Sequence, residues 1–335
     1  MSEHLLLAGD IGATKSNLAF FSSKEGSNKA IAEDFLENRN FDSFAQLIES
    51  FLETSGQNFH GICLGVAGPV LDNKVQITNL PWRIDGNQLR EKFRLKGTWL
   101  LNDLQALGQA IPFLLEKDLE IINQGRAVEN SPIAVIAPGT GLGETFLTWD
   151  GKSYQAHSSE GSHTDFGPTN EMQIQLLKYL KKSQDRVTYE NVCSGIGIPN
   201  LYRFLRDEAL ADEPEWLKNE TEAIDDLTPL IFNIALDESK DSVLCDMTID
   251  LFVEILGAEA GNLALKTLAK GGIYIGGGLP PRIIPWFKKD IFRDAVYNKS
   301  PHTELLSHFP LKIILNTKAN LLGAAQYGLT KLSIK

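Results

Sequence analysis

Short runs of apolar residues alternate along the chain with segments in which apolar residues recur at helical spacing. The runs that predict strands span residues 4–9, 16–22, 60–66, 98–101, 132–137, 144–149, 273–276 and 311–315. Between the second and third runs, the apolar stripe from Phe44 to Leu52 occupies positions i, i+3, i+4, i+7 and i+8, which predicts one face of a helix. Strands that alternate with helices in this way are typical of an α/β fold.

Three more helices are predicted further along the chain. One follows Pro168 and Thr169, a long and mostly buried one covers 241–269, and a short one covers 320–331. The stretch 206–228 is acidic and has little periodicity, so we interpret it as a surface excursion.

The composition is that of a soluble globular protein, with 335 residues of which 43% are apolar and 22% charged. This length corresponds to roughly two domains. Acidic residues outnumber basic ones by 43 to 32, which gives a net charge of −11, and the sequence has no cluster of Lys and Arg. A surface that binds nucleic acid or an anionic membrane is therefore not expected.

Targeting and cysteine content indicate a cytoplasmic protein. The apolar run Leu5–Ala8 is too short for a signal peptide or a membrane span, so neither is expected there. Cys63, Cys193 and Cys245 are far apart in sequence and form no C-x-x-C pair. The sequence thus favours a reducing compartment and argues against a disulfide framework or a cysteine-built zinc site.

The first segment that could carry chemistry is a predicted tight turn between two strands, Gly9-Asp10-Ile11-Gly12-Ala13-Thr14-Lys15. Glycine allows backbone N–H groups to approach a phosphate. Asp10 could hold Mg²⁺ through its water shell, and Thr14 and Lys15 could donate to phosphate oxygens. The alternative is an ordinary hairpin turn, in which Asp and Gly are common for conformational reasons.

Two further glycine clusters each follow a strand-like run. They are Pro138-Gly139-Thr140-Gly141-Leu142-Gly143 and Gly276-Gly277-Gly278. The first is not the dinucleotide fingerprint, because its glycines are spaced G-x-G-x-G and no helical pattern follows. A P-loop is also excluded, because Gly151-Lys152-Ser153 has Phe146 where that motif requires glycine. Each cluster alone fits a loop, but three clusters at strand ends favour phosphate binding.

Polar side chains at a strand end and on two loops form the last group of candidates. Asn102 and Asp103 end a predicted strand, where carboxylates of open α/β sheets face the ligand-binding crevice. Asp103 fits equally well as the cap of a following helix. Glu160 and His163 share a glycine-bearing loop, and Glu190 precedes another glycine-bearing segment, although a solvated histidine is the simpler alternative.

In this order, the segments resemble the bacterial glucokinase family of the actin/hexokinase-like superfamily, over nearly the whole chain. The matching motifs are GDIGATK at 9–15, LGVAGPV at 64–70, TNLPW at 78–82, LLNDLQAL at 100–107, PGTGLGE at 138–144, EGSHTDFGP at 160–168, ENVCSGIGIPNLY at 190–202 and GGIYIGGGLPPR at 271–282. The resemblance implies a two-domain actin/hexokinase-like (ribonuclease H-like) α/β fold with an interdomain cleft. It implies a small domain at 1–112 plus 316–335, completed by the C-terminal helix, a large domain at 113–315, and a homodimer.

The same resemblance implies an enzyme that phosphorylates glucose at its 6-hydroxyl group with ATP and Mg²⁺. Carried over by position, Asp103 corresponds to the catalytic base, and the sugar ligands correspond to Asn102, Asp103, Glu160, His163 and Glu190. Residues 9–14 correspond to the first phosphate turn, 139–143 to the second, and 276–278 to the adenosine side. Pairing of hydroxyl groups with carboxylate, amide and imidazole groups, and of phosphates with backbone donors, agrees with these roles.

The chain departs from the family pattern in two places. Ala13 stands where a second glycine is usual, and Lys15 replaces a common Asn, which affects the expected β- and γ-phosphate contacts. The zinc-binding cysteine cluster of the related family of repressors, open-reading-frame proteins and sugar kinases is missing, so no structural zinc is expected.

Three other functions could share the features of this sequence. A hexose kinase with another preferred sugar, such as mannose or fructose, would use the same residue types. A non-enzymatic sugar-sensing regulator would require a helix-turn-helix segment, which is not expected because the first strand is predicted to begin near His4. A filament-forming or chaperone ATPase would have no use for Asn102-Asp103 together with Glu160, His163 and Glu190.

Overall fold

The computed structural model describes residues 3–77 and 80–333. Thr78 and Asn79 of the TNLPW motif lie outside the described residues. The strands are β1 (Leu5–Ile11), β2 (Lys15–Ser22), β3 (Ala30–Glu37), β4 (Gly61–Val66), β5 (Lys74–Gln76), β6 (Arg83–Asp85), β7 (Gly97–Asn102), β8 (Leu119–Asn123), β9 (Ile133–Pro138), β10 (Leu142–Trp149), β11 (Tyr154–Ser159), β12 (Gly272–Ile275) and β13 (Leu311–Ile314).

The helices are α1 (Phe44–Ser55), α2 (Gly86–Lys92), α3 (Asp103–Ala110), α4 (Glu171–Leu180), α5 (Ile198–Asp207), α6 (Glu215–Glu222), α7 (Leu227–Leu236), α8 (Val243–Thr267), α9 (Ile284–Phe287), α10 (Asp290–Tyr297), α11 (Thr303–Ser307) and α12 (Ala319–Ser333). Short 3-10 turns at Asn38–Asn40, Gly161–His163 and Tyr189–Asn191 lie next to candidate site residues. The predicted α/β class is confirmed, and each predicted strand and helix corresponds to one of these elements.

The sequence prediction was wrong in the stretch 206–228. Helix α6 lies within it, and Leu217 on that helix is fully buried. Leu227, at the first position of α7, is also buried. Few apolar residues are enough here because the core against which they pack is formed by other helices of the same unit, including α5 and α8.

Contacts divide the chain into two compact units, each described here by itself. Unit 1 comprises Met1–Leu115, Asp150–Ser158 and Asn316–Lys335, and unit 2 comprises Glu116–Trp149 and Ser159–Leu315. The domain bounds expected from the sequence, 1–112 plus 316–335 and 113–315, stay a prediction.

Unit 1 is built on a sheet with the strand order β3-β2-β1-β4-β7. Strands β1, β4 and β7 are parallel, whereas β2 and β3 form an antiparallel extension from β1. Helix α12 packs on β1, β4 and α3. The approach is close because Gly328 faces Leu6 and Cys63, and Gly323 lies against the backbone of Ala106. The last helix of the chain thereby belongs to the same layer as the first strand.

Unit 2 contains a sheet in which the strands run in the order β10-β9-β12-β13-β8. Strands β9, β12 and β13 are parallel, and β10 and β8 pair with their neighbours antiparallel. The long helix α8 is buried along most of its length and supplies much of the core of this unit. The carboxyl ends of β9 and β12 therefore lie side by side, where the two later glycine clusters begin.

Candidate active site

Two carboxylates of unit 1 lie at the same edge of its sheet. In the parallel register, Asp10 of β1 pairs with Gly65 of β4, which pairs with Leu101 of β7. Asp103 follows Leu101 by two positions, beyond the end of β7. Carboxyl ends of parallel strands are where open α/β sheets bind ligands. The placement of Asp10 and Asp103 agrees with that rule.

Asn102, rather than Asp103, caps helix α3. The Oδ1 atom of Asn102 accepts a hydrogen bond of 2.9 Å from the backbone N–H of Gln105. The side chain of Gln105 accepts one from the N–H of Asn102 at 3.3 Å, which completes a capping box. The cap occupies Oδ1 and makes no use of the Asn102 amide nitrogen. Asp103 is the first helical residue, and its Oδ1 accepts the N–H of Leu104 at 2.9 Å. These bonds fix the direction of both side chains.

Asp10 is the carboxylate of unit 1 whose ionisation is most affected by its surroundings. Burial, and to a lesser degree the negative charge of Asp103, raise the pKa of Asp10 to about 6. Asn320, in the first turn of α12, donates to Asp10 at 3.5 Å and opposes this shift. An oxygen-ligated cation near Asp10 would relieve both the desolvation and the repulsion.

The predicted phosphate turn is shorter than the sequence suggested. Gly9, Asp10 and Ile11 belong to β1, and Lys15 opens β2, so the turn itself is residues 12–14. A Cβ atom on Gly9 would lie 2.7 Å from Leu18 and 2.8 Å from Leu64. A side chain at position 9 would therefore displace Leu18 and Leu64 from their packing in the sheet, and the role of Gly9 as a phosphate-binding glycine stays a prediction.

Asn38 holds this turn in place. Its Nδ2 donates to the carbonyl of Gly12 at 2.9 Å, and its Oδ1 accepts from Ser16 Oγ at 2.7 Å. The backbone N–H of Asn38 also donates to the carbonyl of Thr14 at 3.0 Å. Asn38 is almost fully buried, whereas Thr14 and Lys15 are exposed. The turn thus has a rigid inner support and an open outer face.

In unit 2, the two later glycine clusters meet at the ends of β9 and β12. The N–H of Gly276 donates to Ile136 at 2.8 Å, and the N–H of Leu279 donates to Pro138 at 3.3 Å. Gly277 has a φ of +86° and lies directly against the carbonyl of Pro138, so this position excludes larger residues. By contrast, a Cβ atom added to Gly139 or Gly278 would meet nothing within 4 Å. Those two glycines border open space rather than packed protein.

Glu190 connects the glycine turn of unit 2 to the candidate sugar ligands. Its Oε2 accepts the N–H of Leu142 at 3.1 Å and lies directly beside Gly141. The segment that follows it reinforces the turn, because the N–H of Gly195 donates to Gly139 at 2.8 Å. Its other oxygen, Oε1, lies 4.0 Å from Nδ1 of His163.

Three of the candidate sugar ligands are brought together in unit 2. His163 lies between two carboxylates, with Nε2 3.8 Å from Glu160 and Nδ1 4.0 Å from Glu190. The side chains are 52%, 77% and 26% exposed for His163, Glu160 and Glu190, so each can reach a ligand. The arrangement offers two acceptors and an imidazole on one face, which suits a ligand rich in hydroxyl groups.

Sequence reasoning missed four residues that support these groups. Asn38 and Asn320 brace the Asp10 region of unit 1, and Glu144 and Glu259 are buried behind the Glu160–His163 loop of unit 2. A polar residue in an apolar run was the available signal for Glu144 and Glu259. For Asn38 and Asn320 the sequence carried none.

Two kinds of feature are absent from the described part of the chain. Residues 3–77 and 80–333 contain no group of three or more His, Cys, Asp or Glu that could hold a metal ion by itself. No helix among them is long and apolar enough to span a bilayer.

Comparison with known proteins gives one consistent result. The family model described as Glucokinase matches residues 7–331. The glucokinase of Nostoc punctiforme is 37% identical over 334 residues, which cover 96% of this chain and 98% of the relative. A glucokinase crystal structure from an Antarctic psychrotroph has a TM-score of 0.84 at 29% identity, with 97% and 98% of the two chains covered. The Balamuthia mandrillaris glucokinase, solved with glucose, has a TM-score of 0.77 at 20% identity, with 97% and 93% covered.

Proposed function

The chain belongs to the glucokinase family and is a kinase, and we propose that it transfers the γ-phosphoryl group of ATP to the 6-hydroxyl group of glucose. The observation that carries this proposal is the grouping of Glu160, His163 and Glu190 around one exposed face, beside a glycine turn that Glu190 itself braces. A ligand with several hydroxyl groups would satisfy such a face, and the adjoining turn would receive phosphates.

Asp103 is the proposed catalytic base. It stands at the first position of α3, directly after the strand end, and the N–H of Leu104 fixes one of its carboxylate oxygens. A fixed carboxylate can accept the proton of the 6-hydroxyl group as that oxygen attacks the γ-phosphorus. The oriented Asn102 would hold a neighbouring hydroxyl group through its amide nitrogen, because the helix cap occupies only its oxygen.

The sugar-binding roles of Glu160, His163 and Glu190 follow from their chemistry. Carboxylates accept hydrogen bonds from hydroxyl groups, and a neutral imidazole both donates and accepts. Two carboxylates flanking one histidine can therefore pair with several adjacent hydroxyl groups of one ring. A sugar that lacks or inverts one of these hydroxyl groups would leave a polar group unpaired, which is a strong basis for selection.

The glycine segments are the proposed nucleotide-binding groups. Gly139 and Gly278 border open space. The N–H groups of Gly12 and Gly139 donate within their turns, to Lys15 and Gly141, so the N–H groups of residues 13–14 and 140–141 are the proposed donors to phosphate oxygens. Asp10 fits a magnesium ion held through water, since magnesium usually binds one or two carboxylates together with substrate phosphates. Bound Mg²⁺ would neutralise phosphate charge during transfer. Lys15, at the exposed end of the turn, would add a positive charge to the same region.

The proposed cellular context rests on the family membership and on the state of the cysteines. We propose a cytoplasmic homodimer that acts in glycolysis, and the three buried, unpaired cysteines agree with a reducing compartment. Size-exclusion chromatography with light scattering tests the dimer. A hexose kinase that prefers mannose or fructose is the second candidate, because the same residue types would bind those sugars.

The test is a coupled assay for sugar 6-phosphate with a panel of sugars and phosphoryl donors. Glucose with MgATP is expected to give the highest kcat/KM, and the reaction is expected to stop on chelation of Mg²⁺. In the same assay Asp103→Asn should lower kcat about 10²–10⁴-fold with little change in KM for glucose. Higher kcat/KM for another sugar would favour the second candidate, and wild-type kcat in Asp103→Asn would exclude Asp103 as the base.

A further inference from the structure

A pair of buried carboxylates lies directly behind the candidate sugar ligands of unit 2. Glu144 on β10 is 2% exposed and Glu259 on α8 is fully buried. The two are close enough that the charge of Glu259 disfavours ionisation of Glu144. Neither residue is part of the proposed reaction. Burying two acidic groups close together lowers the stability of the fold unless their charges are paired or neutralised.

Glu144 lies in direct contact with the loop that carries Glu160 and His163. Its Oε2 atom occupies the space beside Gly161 that a Cβ atom would need, so a larger residue at 161 would displace the Glu144 carboxylate. The loop then turns tightly. The N–H of His163 donates to the backbone carbonyl of Glu160 at 3.1 Å, and the N–H of Thr164 donates to the carbonyl of Gly161 at 2.9 Å. A displacement of Gly161 would therefore move both flanking ligands.

Glu259 makes the corresponding connection to Glu190. It accepts a hydrogen bond from Asn262 at 2.9 Å, and Asn262 also contacts the hydroxyl group of Tyr189 at 3.2 Å. Tyr189 directly precedes Glu190. Glu144 thus contacts the loop that holds Glu160 and His163, and Glu259 is linked through Asn262 and Tyr189 to the segment that holds Glu190.

Glu259 and Glu144 differ in how their charges are compensated. Lys266 lies 3.5 Å from Glu259, and Asn262 is held in turn by Lys299 at 2.8 Å. Glu144, in contrast, has a buried Oε1 atom without a hydrogen-bond partner among the described residues. An ionised carboxylate is poorly tolerated in that position, whereas a protonated one is neutral.

We propose that Glu144 is a positioning residue that holds the Glu160–His163 loop in its sugar-binding geometry through Gly161, and that it does so in the protonated form. This inference rests on the proposed sugar-binding role of that loop. Ionisation of Glu144 would place a second negative charge beside Glu259, and the resulting repulsion would disturb the contact between the Glu144 carboxylate and Gly161. Glucose affinity would then fall as the pH rises.

The charged and titratable groups around Glu144 are few. On α8 they are Glu259 and Lys266, and Lys299 approaches the same cluster from the segment after α10. Burial raises the pKa of the Cys193 thiol and of the Tyr189 hydroxyl group, and the negative charge of Glu259 raises both further. On the loop itself, Glu160 and His163 flank Gly161. Burial and the Glu259 charge raise the pKa of Glu144 to about 7, which places its ionisation in the range of an ordinary assay.

The experiment is KM for glucose and for MgATP as a function of pH in the wild-type enzyme and in Glu144→Gln, Glu144→Ala, Glu254→Gln and Glu160→Gln. Wild-type KM for glucose should rise about fivefold or more from about pH 6 to about pH 8, with KM for MgATP unchanged. Glu144→Gln keeps the shape but cannot ionise, so its KM for glucose should stay at the acid value throughout. Glu144→Ala removes the contact with Gly161 and should raise KM for glucose at every pH. The matched control is Glu254→Gln on α8, the helix that also carries Glu259. The Glu254 carboxylate accepts hydrogen bonds from Asn170 and Gln173, and this variant should reproduce the wild-type profile.

Two outcomes would overturn the proposal. One is a Glu144→Gln variant with the wild-type pH profile. The other is a wild-type KM for glucose that does not change between about pH 6 and about pH 8. Failure of the proposed function is separable, because Glu160→Gln would then leave KM for glucose unchanged whatever Glu144 does. Thermal unfolding of each variant distinguishes loss of fold from loss of positioning.

Discussion

Asp10 and Asp103 lie at the same edge of the unit 1 sheet, close enough for the negative charge of Asp103 to raise the pKa of Asp10. Burial accounts for most of the raised pKa of Asp10, about 6, and repulsion from Asp103 adds to it. Two carboxylates kept this close are easily explained where a cation and a reacting hydroxyl group are to be bound. In the absence of ligands the same arrangement costs stability.

The first prediction concerns that cost. Because the folded-state pKa of Asp10, about 6, lies above the ordinary 3.8, the stability that its protonation contributes is fully present below about pH 3.8 and is lost as the pH rises through about 6. At pH 8 the ionised group should therefore lower the free energy of unfolding by up to ~3 kcal/mol. Asp10→Asn should raise the melting temperature at pH 8 and lose catalytic activity, with a stability gain that shrinks as the pH falls below about 6.

Unfolding by urea across this pH range, without nucleotide or magnesium, checks the prediction. Asp72→Asn is the control, because Asp72 is exposed and should leave the profile unchanged. If the free energy of unfolding of Asp10→Asn depends on pH as it does in the wild-type protein, ionisation of Asp10 does not lower the stability of the fold.

The second prediction separates phosphate-binding glycines from packing glycines. Gly139→Ala places a methyl group in open space, so the melting temperature should not change, but KM for MgATP should rise about tenfold if phosphates approach there. Gly277→Ala should instead destabilise the fold, because its φ of +86° and the Pro138 carbonyl leave no room for a side chain. Steady-state kinetics and thermal unfolding of both variants give the comparison. Unchanged MgATP kinetics in Gly139→Ala would place the phosphates elsewhere.

The third prediction distinguishes Glu160 from Glu190. Glu160 is exposed and its side chain contacts His163 only from 3.8 Å, so Glu160→Ala should raise KM for glucose about tenfold or more without affecting stability. Glu190→Ala also removes the acceptor for Leu142 beside the glycine turn, and should raise KM for both glucose and MgATP. Glu208→Ala, which removes a surface carboxylate paired with Lys182, is the control. Equal effects of Glu160→Ala on both substrates would contradict its assignment to the sugar.

The fourth prediction concerns Lys15. The residue is exposed at the start of β2, where it pairs through the backbone with Glu37. As a point charge near the phosphates, its loss in Lys15→Met should raise KM for MgATP severalfold at low salt, with a smaller effect at high salt because exposed charges are screened. Lys24→Met, which removes an exposed charge paired with Glu3, is the matched control. Identical MgATP kinetics for the two variants would mean that the Lys15 amine points to solvent and does not act on the phosphates.

Much of the framework could be predicted from local patterns. The strand-forming runs and the stripe of α1 depend on spacing along the chain, and each prediction matched an element within a few residues. The short strands β5 and β6, and the more polar strands β3, β8 and β11, were missed, because each is stabilised by its neighbours rather than by its own composition.

Local sequence patterns were thus enough to predict the α/β class, the places where strands end in glycine or carboxylate, and the motifs that identify the family. The folded structure was needed to show that Asn102 caps α3 while Asp103 begins it, and that Gly277 is tightly packed while Gly139 borders open space. It also brought Asn38, Asn320, Glu144 and Glu259 to the candidate residues from distant parts of the chain. The physical reason is that burial, charge repulsion and hydrogen bonding act through space, over distances of a few ångströms, whereas sequence patterns record only what neighbouring residues require of each other.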